Sequence, residues 1–233
     1  MLSPAQAAEL KVLAGGSMTG VLKELAPKFE AASGHKLTIH FDSTPNLIKL
    51  ATSEPFDLGV VPVDVFKSEA ARAKFADGRT IDIARVGYGV AVKVGAPKPD
   101  IGTPAALKAA LLNAKSIATL PDSAAGAYVL KVFDRLGIAE AMKAKIKVQA
   151  GTGAIAQAVA NGEAELGVFL TNVLIAPGVE LAGQFPGELQ NDLVFTAGIA
   201  AASKEAAAAK AFIDYLRTPE AVAVIKAKGM KAG

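Results

Sequence analysis

The chain has 233 residues, 52% of them hydrophobic and 6% aromatic, with no Cys, no Trp and a formal net charge of +3. This suits one large or two small globular domains, and the lack of Cys excludes disulfides, thiolate nucleophiles and the usual zinc-finger frameworks. The basic residues are scattered without runs or aromatic platforms, which speaks against nucleic acid, while a mildly basic surface suits the steering of small anions.

His35 and His40 are the only histidines. With no HExxH or carboxylate pattern around them they make a poor metal site, so neither metal nor cofactor is expected. No stretch approaches the ~20 apolar residues of a membrane helix. At the start, Ala5-Gln6-Ala7 before Ala8-Glu9-Leu10 has the small-x-small form of a signal-peptidase site. Residues 1–8 are therefore expected to be the remnant of an export signal, and the protein to be periplasmic.

In chain order, Lys11–Ala14 reads as a strand and Met18–Leu25 as the start of a helix. Between them Gly15, Gly16 and Ser17 bare the backbone N–H groups of a helix start, where positive partial charge favours an anion; Ser17 also suits a plain N-cap. Lys36–Phe41 alternates as a strand, and Asp42-Ser43-Thr44-Pro45 leads into a helix from about Asn46. Asp57–Val61 is a buried strand, Val63–Phe75 a helix, and Gly78-Arg79 a turn. Arg85–Val94 is a long strand. The Pro-containing loop after it and a helix over Thr103–Leu112 mark a change of subdomain.

Ser116–Leu120 is the next strand, followed by a small-residue turn over Pro121–Tyr128 and a helix over Val129–Leu136. Ile146–Gln149 is a strand, Gly151–Gly153 a turn, and Ala154–Asn161 a helix closed by Gly162. Glu165–Leu170 is a strand ending at Thr171-Asn172. Asp192–Ala202 returns as a strand before two helices, Lys204–Leu216 and Pro219–Lys228, the second capped by Thr218. The alternation is that of an α/β fold. The expected boundaries are residues 9–83 with 192–233 for one lobe and 84–191 for the other. Small-residue turns recur where strands end, the place where open α/β sheets bind ligands, so a ligand cleft between two lobes is expected.

Three motifs carry a family resemblance over Leu10 to Gly229. LKVLAGGSMTGVLKELAPKFEAASG, the GEAELG of Gly162–Gly167, and the tail AKAFIDYLRTPEAVAVIKAKGM resemble type II periplasmic solute-binding proteins, most closely the molybdate-binding branch. That resemblance implies two α/β lobes, each a mixed sheet flanked by helices, with an anion held by neutral dipoles. It implies ligand contacts at Ser17 and Met18, at Ser43 or Thr44, at the Ala125-Gly126 turn and at Thr152-Gly153. After GEAELG the molybdate pattern places a Tyr whose hydroxyl reaches the oxyanion. Leu170 stands there in this chain. A missing donor costs about 1–3 kcal/mol, which points to a larger organic anion reached by Thr171 and Asn172.

Two functions follow. One is a monomeric binding protein that delivers a molybdate-like oxyanion or an organic carboxylate to an ABC permease, without catalysis. It fits the absence of GxSxG, P-loop and paired His/carboxylate motifs. The other is an enzyme, because the same branch includes proteins similar to aconitate isomerase, which move a proton between carbons of a tricarboxylate. Asp42, Asp122 and His40 are its candidate bases. Arg79 and Arg85 are the arginines nearest the lobe junction, and Tyr88 reads as core. A regulator's effector domain shares the fold but would call for a DNA-binding segment ahead of Lys11.

Overall fold

The computed structural model describes residues 7–76 and 80–233; residues 1–6 of the expected export-signal remnant, residues 1–8, and the expected Gly78-Arg79 turn lie outside them. Two compact units emerge, one from the residues up to Ala84 with Val194–Gly233, the other from Arg85–Leu193. The chain thus leaves the first unit after Ala84 and re-enters it at Val194.

The first unit opens with β1 (Glu9–Gly15), whose apolar residues are buried from Leu10 onward. A 3-10 turn over Gly16–Met18 leads into α1 (Thr19–Ser33), which ends at Gly34 in the left-handed conformation, φ 76°. Next come β2 (Lys36–Asp42), α2 (Thr44–Ser53), β3 (Leu58–Pro62) and α3 (Glu69–Arg72). The single helix expected over Val63–Phe75 is instead a 3-10 segment, Val63–Lys67, and the short α3. Ser68 separates them, because its extended backbone and its side chain, which accepts the Ala71 N–H, start a new helix.

β4 (Ile81–Lys93) carries the chain into the second unit, which holds α4 (Pro104–Asn113), β5 (Ile117–Thr119), α5 (Ala124–Arg135), α6 (Ala139–Lys143) and β6 (Ile146–Val148). It continues with α7 (Thr152–Ala160), β7 (Leu166–Leu170), α8 (Thr171–Leu174) and β8 (Val179–Gln184). The expected turn over Pro121–Tyr128 is corrected: α5 already begins at Ala124. The return to the first unit brings β9 (Asp192–Ile199), α9 (Ala206–Tyr215), α10 (Pro219–Ala227) and the short β10 (Lys231–Ala232). Thr218 caps α10, accepting the Ala221 N–H.

In the first unit the strand order is β2-β1-β3-β9, the first three parallel and β9 antiparallel. β3 is buried along its whole length, so it reads as a continuous apolar run, whereas the edge strand β2 alternates. One apolar cluster packs Leu13, Leu47, Phe56, Val61, Val65 and Phe75 between sheet and helices. In the second unit β5 lies between β6 and β7, parallel to both, and β7 pairs antiparallel with β4. β8 also pairs with β4. Both sheets are mixed, and their parallel strands aim their carboxyl ends at helix starts. Among the described residues no helix is long and apolar enough to cross a membrane.

Candidate functional site

In the first unit the parallel register sets Gly15 of β1 opposite Asp42 of β2, which brings two of the expected turns side by side. Gly15 is dictated by packing, since a Cβ there would come 2.7 Å from Phe195 Cε1 and 3.1 Å from Pro62 Cδ. Ser17 lies inside the 3-10 turn, and the N-cap positions of that turn and of α1 are Gly15 and Met18, neither of which caps with its side chain. Thr19 instead turns its hydroxyl back to the Gly16 carbonyl, 2.6 Å. Met18 is fully buried.

At the second turn Ser43 occupies the N-cap of α2 with extended backbone, yet its hydroxyl caps no N–H of the helix. Its own N–H is donated to Asp42 Oδ1, 2.7 Å. Asn46 Nδ2 donates to the same oxygen at 2.8 Å, and His40 Nε2 lies 3.2 Å from Asp42 Oδ2. Burial pushes the Asp42 carboxyl up, but the bonds from Asn46, the Ser43 N–H and His40 outweigh it and hold the group below the ordinary range. Thr44, the first helical residue, is buried.

In the second unit three helix starts follow three adjacent parallel strands: α8 after β7, α5 after β5 and α7 after β6. Ser123 caps α5, accepting the Gly126 N–H at 3.0 Å and donating to the Leu120 carbonyl at 2.8 Å. Within the expected Ala125-Gly126 contact the Gly126 N–H is therefore engaged. The buried Ala125 keeps its place in that turn. At α7 no side chain caps the helix; Gly151 leads in with extended backbone, and Thr152 and Gly153 begin it. Leu170 is fully buried and precedes α8, whose Thr171 is 4% exposed.

Among the described residues no cluster of His, Asp and Glu could hold a metal ion. Tyr88 is core, 1% exposed, with its ring 4.7 Å from Tyr128 and 5.9 Å from Phe185. Its backbone is pinned by Gln190, which accepts the Tyr88 N–H at 2.8 Å and donates to the Tyr88 carbonyl at 2.9 Å.

A sequence profile described as bacterial extracellular solute-binding protein matches residues 10–231. The chain belongs to this family. Among the relatives of this solute-binding protein, an aconitate isomerase of Pseudomonas sp is 32% identical over 95% of this chain and 87% of its own. A molybdate-binding protein of Azotobacter vinelandii is 32% identical over 97% and 90%. The solved structure of the Azotobacter vinelandii periplasmic molybdate-binding protein superposes with a TM-score of 0.79 at 22% identity, covering 96% of this chain and 99% of that one. The fold is shared.

One feature of the solute-binding protein's helix starts escaped the sequence reading: Ser123 carries a Ser-x-x-Gly spacing that signals a cap of the Gly126 N–H. Asp42, an Asp directly before a Ser and so open to a cap or turn role as well as that of a base, reaches the next backbone N–H.

Proposed function

We propose that this protein is an exported, monomeric solute-binding protein that holds a small anion and passes it to an ABC permease. The observation that carries the reading is the set of helix starts left without side-chain caps at the carboxyl ends of parallel strands: the Gly16–Met18 turn into α1, then α2 and α7. Orphan N–H groups and the helix dipole favour an anion at such ends. In the first unit Ser17, the Met18 N–H, Ser43 and Thr44 are the candidate contacts. In the second they are Ala125, Thr152, Gly153, Thr171 and Asn172. The molybdate-binding relative supports an oxyanion as the ligand class, and the aconitate isomerase relative a carboxylate. With Leu170 in place of a hydroxyl donor, an organic carboxylate is the better fit.

A thermal-shift and calorimetry screen of molybdate, tungstate, sulfate and di- and tricarboxylates tests this. A ligand at about 100 times its dissociation constant adds about 2.7 kcal/mol, which raises Tm by about 5–11 °C for a chain of this size. No shift and no heat with any anion would sink the proposal.

A second reading is favoured by the His40–Asp42 pair beside Ser43 and by the identity to an aconitate isomerase. A base held there by a carboxylate suits proton transfer between two carbons of a bound tricarboxylate. An ultraviolet assay of cis/trans-aconitate interconversion decides it: unchanged absorbance at high protein concentration removes the enzyme.

A further inference from the structure

Asp42 presents a fixed negative charge at the start of α2, at a place otherwise suited to anions. Its position is set on three sides. The β2 register places it opposite Gly15, the Ser43 N–H and Asn46 Nδ2 fill Oδ1, and His40 lies on Oδ2. The side chain remains 29% exposed. A carboxylate oxygen accepts about two hydrogen bonds. Oδ1 has both of its own, while among the described residues Oδ2 meets only His40 and has capacity for one more donor.

This start is also poor in donors. Asp42 takes the Ser43 N–H, and Pro45, in the first turn, has none. A tetrahedral dianion offers only acceptors, so there it meets repulsion and loses a donor. An organic acid that carries a hydroxyl or a protonated carboxyl brings an O–H that Oδ2 can accept, in a charge-assisted bond. We propose that Asp42 is the specificity-determining residue of the anion site, selecting organic acids that donate an O–H over bare tetrahedral dianions. The inference rests on the anion-binding reading above. The depressed pKa of the carboxyl supports it, since Asp42 keeps its charge throughout the neutral range.

The test is calorimetry of the whole chain and of the Asp42→Asn and Asp42→Ser variants with three probes: molybdate, citrate, and tricarballylate, which is citrate without its hydroxyl. Asn preserves the acceptor for the Ser43 N–H while removing the charge, and circular dichroism melts check that both variants are folded. The wild type is expected to prefer citrate to tricarballylate by about tenfold, a difference of about 1.4 kcal/mol, and to bind molybdate weakly. Asp42→Asn should tighten molybdate by about tenfold and bring citrate and tricarballylate close together. A merely structural defect would weaken all three ligands, so opposite movements separate the two causes.

Molybdate affinity that is unchanged or weaker in both variants overturns the inference, and so does a citrate preference that survives in them. If no probe gives heat with any of the three proteins, the anion-binding reading itself falls, and this inference with it. Ser43→Ala serves as the control that tells them apart: it should weaken whichever ligand binds without reordering the three.

Discussion

Gly126→Ala should be the most damaging single-methyl change at a helix start of this protein. A Cβ on residue 126 would lie 1.8 Å from the Leu120 carbonyl oxygen, 2.4 Å from its carbon and 2.7 Å from Pro121 Cα. All three are backbone atoms, so no side chain can swing aside, and the start of α5 must move off the end of β5 by more than an ångström. That movement pulls apart the Ser123 bonds to the Gly126 N–H and the Leu120 carbonyl. Overpacking costs about 1–3 kcal/mol and a lost cap about 1 kcal/mol, so a loss of about 3 kcal/mol is expected. For a chain of this length that lowers Tm by about 6–12 °C. With no Trp in the chain, urea unfolding is best followed by far-ultraviolet circular dichroism. Gly153→Ala is the matched control, since at the start of α7 a Cβ would meet nothing within 4 Å. It should be neutral or stabilising by up to about 1 kcal/mol. A loss below about 1 kcal/mol in Gly126→Ala would refute the argument, because it would mean that the turn yields freely.

Capping and ligand contact should separate cleanly. Thr218→Ala removes the α10 cap and should cost about 1 kcal/mol in urea unfolding while leaving anion affinity alone. Ser43→Ala should do the reverse, because its hydroxyl caps nothing; equal stability losses in the two variants would contradict this. Gln190→Leu strips the Tyr88 N–H of its partner and should cost about 1–3 kcal/mol, with hydrogen exchange at Tyr88 accelerated; unaltered exchange there would speak against the clamp. The Asp42 carboxyl is held below its ordinary value, so its stabilisation is complete at neutral pH and is lost as pH falls through the folded pKa. The stability difference between wild type and Asp42→Asn should therefore shrink below about pH 4, and a difference constant with pH would count against the bonding seen at β2.

Much of this architecture was legible because strand and helix periods differ. The alternation of Lys36–Phe41, the apolar run before Val63 and the Thr-Pro start at residue 218 each had one reading, and the structure agrees within a few residues. The misreadings have local causes. Small residues over Pro121–Tyr128 look like a turn, but Gly126 is small because α5 starts against the Leu120 carbonyl. β8 lies between Gly- and Pro-containing segments with little alternation, and only its pairing with β4 makes it a strand. At the candidate site the positions were readable, since turns follow strand ends. The hydrogen bonds were less so. Spacing alone points to them: Ser123-x-x-Gly126 and Asp42 before Ser43 name the partners only once the starts of α5 and α2 are known.

The route of the chain through its two units also sets an order of assembly. β3 pairs with β1 on one side and with β9 on the other, and β9 is made only after the whole second unit. During synthesis the second unit is complete first, while the amino-terminal sheet waits with the fully buried strand LGVVP open along one edge. Such an edge is a template for pairing with another chain. A chain stopped short of Asp192 keeps that hazard permanently, so the carboxyl-terminal segment acts on the first sheet as a built-in guard against aggregation.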